Sequence, residues 1–159
     1  MLRAVDIEDG ELSGTQILRV SKTIEADYER TRLRGGEILL SVMGTIGRAM
    51  LVREEWIGWN VNRALAVIRP GPHVRPEFFY HWLRSPQMQA KLTKDSIGTA
   101  QLRINLSDFR KYCFPVPSLE RQMEVVNRIE AAEKTQKLVA EHSERVAVLT
   151  LSLLNYIFR

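Results

Sequence analysis

Cys113-Phe-Pro-Val-Pro-Ser-Leu119 divides the sequence into two parts of different character. Before it, glycines, prolines and aromatic residues recur. After it, through Arg159, there is no Gly and no Pro. This predicts a globular body followed by one long helix. Pro115 and Pro117 lack a backbone N–H and stiffen the join. Ser118 suits an N-cap, and Glu120 falls in the first turn, where the helix dipole favours an acid. From Leu119 onward apolar residues return at three- and four-residue steps, at Val126, Ile129, Ala132, Val139, Val146, Leu149, Leu153 and Ile157. That spacing lays a stripe along one helix face. Roughly 40 residues at 1.5 Å each span on the order of 60 Å. A body of about 115 residues has a radius of gyration near 13 Å. The stripe therefore needs a partner beyond its own domain, and a coiled coil is expected. Gln136 and Ser143 interrupt it, as polar seam residues that set register do. A turn near Glu141-His-Ser-Glu144 would instead give two helices, although no Gly or Pro supports one there.

Working back from the junction, the body reads as mixed strands and short helices. Strands are predicted at Ile17 to Val20, Glu37 to Met43, Arg48 to Val52 and Ala64 to Arg69, the last stopped by Pro70-Gly-Pro72. Gly44-Thr-Ile-Gly47 is a tight turn between the second and third, using glycine's freedom at positive φ. Pro76 opens a helix carrying Phe78, Phe79, Trp82 and Leu83, and Ser85-Pro86 caps a second helix through Leu92. Ser107-Asp-Phe-Arg-Lys111 reads as one capped turn. Cys113, beside Tyr112 and Phe114, reads as core.

The net charge is +4, and it is unevenly spread. Residues 1–11 are acidic, 12–111 carry the whole basic surplus, and 117–159 are balanced. Arg supplies 17 of the 23 basic residues, and its planar fork suits bidentate contact to phosphate and guanine. A basic body fits a polyanionic partner, although many basic domains bind no nucleic acid. The hydrophobic fraction of 45% excludes a disordered chain. No run reaches the roughly 18 apolar residues of a membrane span. The longest, Val146 to Phe158, is broken by Thr150, Ser152 and Asn155. Arg3 has no apolar run behind it, so no export signal is read, and the single Cys113 fits a reducing cytoplasm.

The sequence carries no recognisable catalytic pattern. His73, His81 and His142 lie far apart, with no second ligand at metal spacing. No Ser or Cys sits in a nucleophile elbow. Gly44-Thr-Ile-Gly47 is too short for a phosphate loop and lacks its Gly-Lys-Ser/Thr ending. The Asn/Asp-Pro-Pro-aromatic motif of DNA amino-methyltransferases does not occur. A non-enzyme is expected, with no metal or cofactor of its own.

Four segments, taken in order, resemble one family. Gly36-Glu-Ile-Leu-Leu-Ser-Val-Met-Gly-Thr-Ile-Gly47 is similar to the "GDILls..GtiG" segment of type I restriction–modification specificity subunits. Asn62-Arg-Ala-Leu-Ala-Val-Ile-Arg-Pro70 resembles the strand that follows. Gly98-Thr-Ala-Gln-Leu-Arg-Ile-Asn105 resembles "GT.Q..IN". Phe114-Pro-Val-Pro-Ser-Leu-Glu-Arg-Gln122 looks like "P.P.l.eQ", which opens the family's helix. The resemblance covers roughly residues 5–159. It implies an α+β fold: a mixed α/β target-recognition domain over 1–114, then a helix over 115–159 that pairs in an antiparallel coiled coil and docks methyltransferase subunits. It also implies double-stranded DNA as the ligand, modification subunits that use S-adenosylmethionine, and a restriction subunit that uses ATP. One recognition domain and one helix resemble half of the family's usual subunit, so a homodimer reading a gapped palindrome is the natural completion. Family domains usually begin with a further segment, so Met1 to Ile7 is expected to join partway through.

Within that frame, phosphate and base contacts are expected from exposed Arg, Asn and Gln near loops. Arg30, Arg32 and Arg34 alternate and would share one face of an extended segment. Arg48 follows the glycine turn and would reach outward. Thr99, Gln101, Arg103 and Asn105 would either read DNA or brace their loop. Asn62 and Arg63 complete the candidate set. Trp56, Trp59 and Trp82 read as core or interface. The seam of the dimer helix is expected at Val126, Ile129, Ala132, Val139, Val146, Leu149 and Leu153. A second reading is an interaction protein that dimerises with or caps a full-length specificity subunit without reading DNA; the missing first segment favours it. A complete methyltransferase or nuclease is disfavoured by length and by the absent motifs.

Overall fold

The computed structural model describes residues 1–8, 10–13 and 17–157, with the main chain alone at Asp27. The elements are β1 Ile7–Glu8, β2 Glu11–Leu12, α1 Lys22–Asp27, β3 Ile38–Ser41, β4 Ala49–Leu51, β5 Leu65–Ile68, α2 Pro76–Arg84, α3 Pro86–Asp95, α4 Leu106–Phe109 and α5 Leu119–Ile157. The main sheet is antiparallel in the order β4-β3-β5. All four residues of β3 are buried, the first three apolar and the fourth Ser41, so both faces of the sheet are covered there. The two-residue period then builds two cores. Leu39, opposite Met50 and Val67, faces Leu2, Ile7, Leu33, Trp56 and Val61. Ile38 and Leu40, opposite Leu51, Ile68, Ala49 and Ala66, face Phe79, Leu83, Met88 and Leu92 of α2 and α3. Fully burying one such side chain contributes about 1.5–3 kcal/mol, so β3 anchors both layers.

The helix signals act where the sequence placed them. Pro76 stands in the first turn of α2, and Ser85 Oγ accepts the Met88 N–H at 3.4 Å to cap α3. The structure differs in four places. Ile17 to Val20 forms no strand. Among the described residues it has no neighbouring strand to pair with, and the Leu18 carbonyl accepts instead from the terminal ammonium at 2.6 Å. The β3 strand stops at Ser41; past it, Val42 still reaches Ala64 but Val42 and Gly44 also bond Ile104 and Leu102, as described below. Asn105, not Ser107, caps α4, with its Oδ1 accepting the Ser107 N–H at 3.1 Å. Cys113 is exposed. Burial alternates along this segment, with Tyr112 and Phe114 half-buried and Cys113 and Pro115 exposed, so Cys113 turns away from its aromatic neighbours.

The chain divides into two units, Met1–Gln122 and Met123–Arg159. The α5 helix is unbroken for 39 residues, about 58 Å at 1.5 Å per residue, and Glu141 to Glu144 lie inside it without a turn. Ser118 Oγ accepts the Arg121 N–H at its start at 3.3 Å. Val126 is buried and Ile129 half-buried, whereas Ala132, Val139, Val146, Leu149 and Leu153 are exposed. Among the described residues, no helix is long and apolar enough to cross a membrane.

Candidate nucleic-acid interface

Val42 and Gly44, just past the end of β3, bring three distant segments together. The Val42 N–H donates to the Ala64 carbonyl at 2.8 Å, and its carbonyl accepts from the Ile104 N–H at 2.9 Å. The Gly44 N–H donates to the Leu102 carbonyl at 2.8 Å, and Met43 stands opposite Arg103. The loop from Ile97 to Arg103 is closed by two reciprocal backbone hydrogen bonds between its end residues, each 2.9 Å. Gly98 turns it at φ +120°, and a Cβ there would stand 2.3 Å from the Gln101 carbonyl oxygen. Only glycine fits both conditions. On these joined segments Gly44, Thr45, Arg63, Thr99, Gln101 and Arg103 are exposed, and together they are called the rim below. Exposed backbone turns beside unpaired guanidinium groups are suited to phosphate and base-edge contact.

Hydrogen bonding sorts the predicted residues. Among the described residues, no ion pair is recorded for Arg30, Arg34, Arg63 or Arg103, and all four are exposed. Arg32 is tied to Glu25 at 2.6 Å and Glu29 at 3.6 Å. Arg48 does not reach outward: its guanidinium donates to the Ile7 carbonyl at 2.7 Å. Asn62 Oδ1 accepts the Ala64 N–H at 3.1 Å and braces the turn into β5. Asn105 caps α4. Arg30, Arg32 and Arg34 share no extended face, because Glu29–Thr31 is a 3-10 turn. Of the ten predicted residues, the rim gathers Arg63, Thr99, Gln101 and Arg103. Arg30 and Arg34 lie in a different segment.

Three structural residues escaped the sequence reading. Buried Glu37 accepts the Arg34 N–H at 2.9 and 3.0 Å and the Arg69 Nε–H at 3.2 Å. A buried carboxylate needs such partners. Gln122 is fully buried. Its Oε1 accepts the Arg75 N–H at 2.8 Å, while Nε2 donates to the His73 and Pro117 carbonyls, each at 2.8 Å. Tyr112 donates to Asp95 at 2.5 Å, and Lys91 Nζ donates to the same oxygen at 2.9 Å. The phenol and then the ammonium hold the Asp95 carboxyl below its ordinary value, while burial first and the Asp95 hydrogen bond second push the Tyr112 phenol well above its own. Among the described residues, no group of three or more His, Cys, Asp or Glu side chains is placed to hold a metal.

The family model described as type I restriction modification DNA specificity domain matches residues 5–147. The chain belongs to that family. It is 38% identical over 166 aligned positions to the type I restriction enzyme EcoBI specificity subunit of Escherichia coli, covering 100% of this chain and 34% of that protein. The chain thus spans about a third of that relative's length. The HsdS subunit from Thermoanaerobacter tengcongensis superposes with a TM-score of 0.57 at 25% identity, over 67% of this chain and 28% of that one. The type I restriction–modification S subunit from M. genitalium shares the fold, with a TM-score of 0.53 at 17% identity over 89% of this chain and 37% of its own. In this DNA specificity domain the first three family-like segments meet around Val42 to Gly44. The fourth ends on the buried Gln122, whose side chain satisfies the Arg75 N–H and the His73 and Pro117 carbonyls and so ties the segment before α2 to Pro117.

Proposed function

We propose that this chain recognises double-stranded DNA as the specificity component of a type I restriction–modification system. The body reads one half of a split site. The exposed stripe of α5, through Ile129, Ala132, Val139, Val146, Leu149 and Leu153, pairs antiparallel with a second such helix and sets the spacing between two recognition domains. With a second copy as partner, the target is a gapped palindrome. The helix also docks modification subunits, and a restriction subunit completes the enzyme. Base methylation and ATP-driven cleavage take place in those partners. The carrying observation is the convergence of three motif segments on one rim with Arg63 and Arg103 exposed and unpaired. Arg63 and Arg103 serve phosphate or guanine contact, Gln101 and Thr99 base edges, and Arg30 and Arg34 outlying phosphates. Arg32, Arg48, Asn62 and Asn105 contribute by holding the loops.

Binding to a duplex, followed by anisotropy across a salt series, tests this reading. Each neutralised phosphate adds about 0.9 to the slope of log affinity against log salt. Replacing both Arg63 and Arg103 by Ala therefore lowers that slope by about 2 if both face phosphates, and relaxes sequence preference if either reads guanine. Unchanged affinity and slope would remove the rim from the interface.

A further inference from the structure

A groove of about 510 Å³ runs beside β5, and of the residues assigned to DNA above it includes Arg30 alone. One wall is Leu65 to Arg69, five consecutive residues. Side chains of a strand alternate between faces, so a wall of consecutive residues means that the groove follows the strand's edge. Among the described residues, the β5 strand pairs with β3 alone. Every second N–H and C=O along it points away from β3. Among the described residues, no backbone hydrogen bond beyond the β3 pairing is recorded for Ala66, Val67 or Ile68. The groove is also lined by Tyr112 and Phe114, and Phe114 lies outside any strand or helix with no recorded backbone hydrogen bond among the described residues. Aromatic rings pack the floor: Phe79, Trp82 and Phe114 form a cluster with centroids 4.7 to 5.2 Å apart. At the mouth stand Arg30 and Arg110, both exposed and with no recorded ion pair among the described residues.

We propose that this groove receives an extended segment of another polypeptide, which adds as a fourth strand beside β5. Unpaired strand backbone is matched by another strand and by neither a helix nor a lipid chain. Four residues of β5 offer about 13 Å of edge, the length of a four- or five-residue strand. Alternate apolar side chains of the added strand enter over the aromatic floor. Acidic residues at its two ends meet Arg30 and Arg110.

The test uses the full chain without DNA and a blocked heptapeptide, Glu-Val-Thr-Val-Thr-Val-Glu, read by backbone amide NMR. Saturable shifts at the amides of Ala66 to Ile68 and of Phe114 are expected. Methylating the peptide's alternate amide nitrogens abolishes binding in one register and leaves it intact in the other. The double variant Arg30→Glu with Arg110→Glu, altered only at exposed positions, binds this peptide about fivefold more weakly, the scale of two exposed ion pairs, and prefers the same peptide with Lys at both ends. No saturable shift at those amides would overturn the proposal. So would adenosine monophosphate producing the shifts where the peptide does not, since the groove would then be a nucleotide pocket. Equal affinity of the charge-reversed variant for both peptides would also refute it, because the acidic ends would have no role.

Discussion

At the scale of single residues, Gln122 carries the sharpest consequence. Replacing it by Ala leaves the Arg75 N–H and the His73 and Pro117 carbonyls without their partner in a buried place. Urea unfolding should show a loss of about 2 kcal/mol or more, where an exposed residue would show little. Tyr112 and Asp95 make a pH prediction. The folded-state value of Tyr112 is raised, so its contribution to stability is fully present below its unfolded pKa of about 10 and is lost as pH rises through the folded value. The folded-state value of Asp95 is lowered, so its contribution is present above its unfolded pKa of about 4 and is lost as pH falls through the folded value. The difference between alkaline absorbance titrations of wild type and Tyr112→Phe should therefore appear well above pH 10. Gly98→Ala forces a Cβ against the Gln101 carbonyl at a positive φ, a strain of about 1–3 kcal/mol. Its amide shifts should centre on 97–105 and 42–44, with DNA affinity reduced. The glycines were legible as turn-formers and the polar motif residues as either readers or braces. Which role each takes was not legible, because it depends on partners distant in sequence: Arg48 finds the Ile7 carbonyl and Glu37 finds Arg69 only once the sheet has formed.

At the scale of elements, periodicity was the most reliable guide. The 3.6-residue stripe located α5, and Pro and Ser placed the starts of α2 and α3, because these signals act within a few residues. The strands were shorter than their apolar runs, since a strand ends where its neighbour ends. Ile17 to Val20 lacked a neighbour altogether, and no local signal reports that. The exposed half of α5 is the element whose role awaits measurement. Leu138, Val139, Val146, Leu149 and Leu153 are each at least half exposed, an arrangement that a pairing helix relieves. Light-scattering mass of the double variant Ile129→Asp with Val139→Asp should fall to that of one chain. A mass identical to wild type, whatever its value, would remove the pairing role from this stripe.

At the scale of the whole molecule, the likeness to type I specificity subunits was readable because four modest motifs stand in one order, and three of them form one physical contact around Val42 to Gly44. The α+β class was readable from mixed strand and helix signals, whereas the two-layer core around β3 was not, because strand order depends on residues distant in sequence. The assembly is where local reasoning stops: which copies pair, and at what separation, is decided by surfaces that meet only between chains. Selection of duplexes from a randomised library by the purified chain, followed by sequencing, tests the central claim most directly. Recognition by a paired, two-domain reader predicts an enriched motif of two inverted half-sites around a spacer of fixed length, weakened when Arg63 and Arg103 are both replaced by Ala. A pool with no enriched sequence, at a salt concentration where the duplexes are still retained, would mean that the chain holds DNA without reading it and would contradict the account.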